Sequence, residues 1–163
     1  ELCRYNTDIA ALGETRLAKE GSISEMNYTF SWKRRDQSQP KQRGVGFANK
    51  NNLLINVKAI PTFRLDIFKG NAINHISCYA PTLKAEDNIK EEFHSQLIAT
   101  FDQILEKESI VLLADFNAKI GQNYEARNEI IGKHSIDKMN ENGEILLSLC
   151  ASYNLCITNT LFN

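Results

Sequence analysis

Hydrophobic and polar positions change period near the middle of the chain. Before Pro81 the apolar residues come in short or alternating runs. Ile9 to Leu12 is a compact apolar run and predicts a buried strand. Tyr28 to Lys33 alternates aromatic and polar residues and predicts a second. Residues 33–43 form a polar loop around Pro40. Gly44 to Ala48 and Leu53 to Ile60 are two further strand candidates, joined by a Lys50-Asn51-Asn52 turn. Arg64 to Phe68 alternates again, and a Gly70-Asn71 turn leads into Ala72 to Tyr79. Such a series of hairpins predicts an antiparallel sheet.

After Pro81 the period lengthens. Ile89, Phe93, Leu97, Phe101, Ile104 and Leu105 recur every three or four residues, which predicts an amphipathic helix over Glu86 to Glu106. Ile110 to Ala114 is apolar at every position, the pattern of a strand covered on both faces at a sheet centre. A second helix is expected over Gly143 to Tyr153, capped by Asn142, with Ile145, Leu146, Leu149 and Cys150 on its inner face. Leu155 to Thr158 reads as a last strand. Hairpins followed by helix, strand, helix and strand imply a layered α/β domain.

Composition adds limits. The 163 residues are 42% hydrophobic and 24% charged, enough for one folded domain with a core. A net charge of −1 gives no global nucleic-acid signal, so any DNA affinity must be local. The one basic concentration is Lys33, Arg34, Arg35, Lys41 and Arg43, either a loop that meets DNA phosphates or a solvated hairpin. Phe30 and Trp32 beside it could stack on bases or belong to the core. No apolar run reaches transmembrane length. Cys3, Cys78, Cys150 and Cys156 have no zinc-like spacing and read as reduced thiols of an intracellular protein, largely buried.

Three segments carry candidate chemistry. Glu14 follows the first strand, where a carboxylate can hold Mg²⁺ or simply sit solvated in a loop. Asp115 and Asn117 close the apolar strand; in extended chain both would point to one side, able to orient a water and hold a phosphate oxygen. The rival reading is an Asx turn. Tyr79 ends a strand before Pro81 and is either a phosphate donor or a core tyrosine.

Taken in order, Leu12-Gly13-Glu14-Thr15-Arg16, Arg43-Gly44-Val45-Gly46-Phe47, Tyr79-Ala80-Pro81-Thr82 and Asp115-Phe116-Asn117-Ala118 resemble the endonuclease/exonuclease/phosphatase superfamily. Gly132-Lys133-His134, Asn140-Glu141-Asn142-Gly143-Glu144 and Thr158-Asn159-Thr160-Leu161-Phe162 narrow the resemblance to the endonuclease domains of LINE-type retrotransposons and to the craniofacial-development-protein group. It covers nearly the whole chain as one domain, residues 1–163. It implies a four-layered α/β sandwich and Mg²⁺-dependent cleavage of DNA phosphodiesters, with Mn²⁺ as a substitute. By motif, Glu14 would hold the metal, Tyr79 would meet the scissile phosphate, Asp115 would orient the water or protonate the leaving group, and Asn117 would hold a phosphate oxygen. The resemblance further implies an intracellular, nuclear setting and a reverse transcriptase domain in a longer chain.

The match has gaps. The family carries an Asn on a strand before the Glu motif, and Asn6 lies too near Glu14 to fill that place. No Ser-Asp-His run occurs, and His75, His94 and His134 sit in other contexts. Gly13 and Ala114 stand where the family has Gln and Gly. The chain opens on Glu1. A domain truncated at both ends is therefore expected, with weak or no cleavage, since losing a general base costs about 10²–10⁴ in rate. The alternative is a degenerate module that binds nucleic acid or protein without chemistry.

Overall fold

The computed structural model describes residues 1–15, 17, 20–33, 44–53, 57–58, 65–69, 73–104, 107–135 and 138–162. They form a mixed α/β fold in two compact units. The first unit takes in residues 1–80 and 88–115, and the second residues 81–87 and 116–163.

Two four-stranded sheets make up the first unit among the described residues. One has the order β1-β4-β3-β2, from β1 (Ile9–Leu12), β2 (Gly21–Glu25), β3 (Tyr28–Lys33) and β4 (Val45–Lys50), all antiparallel. The other has the order β5-β6-β7-β8, from β5 (Val57–Lys58), β6 (Leu65–Lys69), β7 (Ile73–Tyr79) and β8 (Ser109–Asp115). β4 lies across β6 and β7, so the sheets face one another. It is flanked by β1 and β3 within its own sheet, and its residues Val45 to Asn49 are all buried. Gly46 sits where an added Cβ would collide with the Ser31 carbonyl of β3, so glycine permits this strand approach.

The last sheet pair is parallel, β7 to β8, and needs a crossover. Helix α1 (Asp87–Phe101) supplies it, with Phe93, Leu97 and Phe101 buried. The expected helix ran to Glu106, but Gln103 and Ile104 donate to the Thr100 and Phe101 carbonyls in tight turns that end it. Leu105 and Glu106 lie outside the described residues.

Other expectations also change. β8 is the terminal strand of its sheet among the described residues, not a central one. No residue of β8 is fully buried, and Val111 is 37% exposed. An apolar run reports what its faces can bury, and a strand paired along one edge loses cover from the other. In the predicted strand over Leu53 to Ile60, Leu53 closes a 3₁₀ turn (Asn51–Leu53) and only Val57 and Lys58 are described as strand. The Gly70-Asn71 turn lies outside the described residues. β2 was not expected at all; its outward Ile23 is 57% exposed.

The second unit is built on helix α2 (Glu141–Ser152). Leu146, Leu147, Leu149 and Cys150 are buried, while Ile145, expected inside, is half-exposed. The strand expected at Leu155 to Thr158 is reduced to one parallel bridge between Ile131 and Ile157. There the Thr160 hydroxyl donates to the Ile157 carbonyl at 2.6 Å, and a 3₁₀ turn over Thr158–Thr160 replaces extended chain. Among the described residues no helix is long and apolar enough to cross a membrane.

Candidate active site

Glu14 follows β1 by two residues and is half-buried. The chain around it is fixed on both sides. Before it, a Cβ added to Gly13 would stand 3.8 Å from Cδ2 of Tyr79, which places the loop against that ring. After it, the Thr15 amide donates to the Gly44 carbonyl at 3.0 Å, tying the loop to the start of β4. Glu14 has φ of +55°, in the left-handed region. For a residue with a Cβ that costs roughly 1–2 kcal/mol, and such strain gathers at functional positions.

Tyr79 ends β7 and lies opposite Asp115, the last residue of β8, in parallel register. Just past this pair the Ala80 amide donates to the Asp115 carbonyl at 2.9 Å. Tyr79 is 5% exposed, whereas Asp115 is exposed. Glu14, Tyr79 and Asp115 thus all belong to the first unit, at or just beyond the C-terminal ends of β1, β7 and β8.

Asn117 belongs to the second unit. Phe116, between Asp115 and Asn117, is buried. The same-side argument for Asp115 and Asn117 does not carry over, because β8 stops at Asp115 and Asn117 has φ of +48°. Asparagine tolerates that conformation through its short polar side chain.

The basic cluster is placed only at its first member. Lys33 ends β3 opposite Val45, and Arg34, Arg35, Lys41 and Arg43 lie outside the described residues. Of the aromatic residues beside it, Phe30 and Trp32 are both half-buried, and the Trp32 ring lies against Gly21; further back on β3, Tyr28 is buried and donates its hydroxyl to the Thr7 carbonyl at 2.7 Å.

The Asn140-Glu141-Asn142-Gly143 segment carries three roles that residue pattern alone did not separate. Asn140, not Asn142, caps α2: its Oδ1 accepts from the Gly143 amide at 2.8 Å and the Lys119 amide at 3.0 Å. Its Nδ2 also donates to the Asn117 carbonyl at 3.3 Å. Asn142 is 4% exposed, and its Nδ2 donates to the Pro81 and Phe116 carbonyls at 3.0 Å each. Gly143 sits where an added Cβ would collide with the Lys119 carbonyl. The cap was assigned to Asn142 because N-cap preference cannot choose between asparagines two residues apart. The two other late motifs also meet: the Gly132 amide donates to the Thr160 hydroxyl at 2.7 Å, and the His134 amide to the Thr160 carbonyl at 3.1 Å.

Among the described residues no three His, Cys, Asp or Glu side chains gather as a metal cage. The carboxylate of Glu14, the expected metal ligand, is a hard oxygen donor of the kind that suits Mg²⁺ better than zinc. Of the thiols, Cys78 and Cys150 are buried, and Cys3 and Cys156 are exposed. Burial, reinforced by the Asp115 charge, pushes the Cys78 thiol far up, which leaves it inert at neutral pH.

Two relatives match the chain almost from end to end. Craniofacial development protein 2 of Bos taurus is 27% identical over 178 residues, covering 99% of this chain and 28% of its own length. Craniofacial development protein 2 of Tragulus javanicus is 28% identical over 170 residues, covering 99% of this chain and 29% of its own length. The chain is therefore a distant relative of craniofacial development protein 2 and spans under a third of those relatives. That part of the motif resemblance is borne out. No family model matches the chain.

Proposed function

We propose that this chain carries the core of a Mg²⁺-dependent DNA endonuclease of retrotransposon descent. The observation that supports this most is the chain of contacts at the strand ends: the Glu14 loop rests on Tyr79 through Gly13, and Tyr79 is registered with Asp115. Three residues far apart in sequence thereby come to the C-terminal ends of strands in one unit, where α/β proteins place ligands.

In this reading Glu14 and its waters hold the metal, which would neutralise charge developing on the phosphate. Asp115 takes a proton from the attacking water or gives one to the leaving oxygen. For Asn117, which lies in the second unit, the motif resemblance suggests the separate role of donating its carboxamide to a phosphate oxygen. The role proposed for Tyr79 is a contact to the scissile phosphate through its hydroxyl. Lys33, Arg34, Arg35, Lys41 and Arg43 hold the DNA backbone without reading sequence. The proposed setting is nuclear, beside a reverse transcriptase domain.

The 163 residues contain no Ser-Asp-His run to supply an Asp–His base, so cleavage by this chain alone is slow. The burial of Tyr79 favours a second reading, a module that binds nucleic acid or protein without chemistry. Nicking of supercoiled plasmid in Mg²⁺ separates the two. Slow nicking that Glu14→Gln and Asp115→Ala both abolish is expected. DNA binding with no nicking in either Mg²⁺ or Mn²⁺ would leave the second reading standing.

A further inference from the structure

Asn142 is buried in the first turn of α2, where its carboxamide has no part in capping the helix. Its two short hydrogen bonds reach segments that are distant in sequence. One accepts at Pro81, just past Tyr79, and the other at Phe116, just past Asp115. A third, longer contact reaches the Asn117 carbonyl at 3.5 Å, which Asn140 also holds at 3.3 Å. Asn142, Asn140 and the three carbonyls at Pro81, Phe116 and Asn117 lie in the second unit. Asn140 holds the Asn117 carbonyl and Asn142 holds the Phe116 carbonyl before it, so the peptide planes on both sides of Asn117 are fixed, and with them the left-handed backbone that aims its side chain. The first turn of the helix lies close against the Lys119 carbonyl, with no room for a side chain at Gly143.

We propose that Asn142 is a positioning residue: its carboxamide clasps the chain at Pro81 and Phe116, within the second unit, and sets the orientation of Asn117. The catalytic part of this inference rests on the nuclease reading above. The clasp itself does not. A misplacement of about 1 Å in a reacting group can cost on the order of a hundredfold in rate, so one buried amide has the required leverage.

The test is single-turnover nicking of supercoiled DNA in Mg²⁺ by the parent chain, by Asn142→Leu and by Leu146→Ala. Leu146 is buried on the same helix and serves as a control for lost stability. Urea unfolding places all three under conditions where each is folded, and Asn142→Ser, which keeps one donor, stands in if Asn142→Leu does not fold. In Asn142→Leu the maximal rate is expected to fall about ten- to a hundredfold with half-saturating DNA unchanged. Leu146→Ala should stay within about twofold of the parent when matched in this way. An equal loss in Leu146→Ala, or a change confined to DNA affinity, overturns the positioning role. If the parent does not nick at all, the nuclease reading fails, and backbone amide exchange over residues 116–118 decides the clasp. Faster exchange in Asn142→Leu than in Leu146→Ala upholds it, and equal exchange overturns it.

Discussion

Gly13 rests on Tyr79, at 3.8 Å between the position of an added Cβ and Cδ2 of the ring. The residue that precedes the candidate metal ligand therefore lies close to the facing sheet, with room for one methyl group between them. That separation is an ordinary contact, and Gly13 is not in the left-handed region. Gly13→Ala should thus fold normally and gain about 0.4–1 kcal/mol, because alanine reduces the freedom of the unfolded chain at a compatible site. A urea midpoint lower than the parent's would show that the loop needs glycine for a reason other than space.

Glu14 is held in a strained conformation where most residues would not stay. Comparison of Glu14→Gly with Glu14→Ala isolates that strain, since both lose the carboxylate and only glycine relieves the backbone. Glu14→Gly is expected to be the more stable by about 1 kcal/mol in urea unfolding, and neither should nick DNA. Equal stability of the two would mean that the backbone relaxes at no cost and that the strain argument has no force.

Much of this architecture could be read from residue pattern because burial drives it. β3, β4, β7 and α1 lie where the residue pattern puts them, and Phe93, Leu97 and Phe101 lie inside as their spacing requires, whereas β1, expected to be buried, is only half-buried along its length. What could not be read depends on edges and single hydrogen bonds. The run in β8 speaks for its faces and says nothing of its unpaired edge. Thr160 diverts the last predicted strand with one hydroxyl. The site was legible as motifs, but not the division that places Asp115 in one unit and Asn117 in the other. Nor did any periodic signal mark Asn142, whose partners are 61 and 26 residues away.

The hairpin from β2 to β3 turns at Met26 and Asn27, with Glu25 opposite Tyr28. Met26 has φ of +53° and is 84% exposed. A positive φ confined to the first central residue is the pattern of a type II′ turn, which favours glycine there. The lack of a glycine signal is why the hairpin was not foreseen. Met26→Gly should stabilise the chain by about 1 kcal/mol, checked by thermal unfolding. A lower melting temperature would mean that the Met26 side chain has a packing role despite its exposure.

Stability should fall at both ends of the pH range. Burial lowers the pKa of His75 and of His94 below 6.5. The unfolded chain therefore binds more protons than the folded one just below that value, and stability is lost as pH falls through it. Burial raises Cys78 above its usual 9.0, and burial with the neighbouring Cys156 pushes Cys150 up to about 11. Above pH 9.0 the unfolded thiols lose protons that the folded chain keeps, so stability declines again. Urea midpoints across this range should trace a dome, and Cys78→Val should shrink its alkaline side. An alkaline limb unchanged in that variant would assign the decline to other groups.

Asn49 lies at the centre of the first sheet, opposite Ile9 on one side and Thr29 on the other. It is 0% exposed, and among the described residues neither its Oδ1 nor its Nδ2 has a hydrogen-bond partner. A buried amide in that state carries its desolvation cost uncompensated, roughly 1–3 kcal/mol. Leucine has nearly the same shape and no polar atoms to desolvate. Asn49→Leu should therefore raise the urea midpoint, with a gain of about 1–3 kcal/mol. Loss of stability instead would mean that the amide is bonded in solution, most simply to an internal water with two or more polar neighbours. The sign of this one substitution thus decides whether the polar residue at the sheet centre is a liability of the fold or part of a hydrated interior.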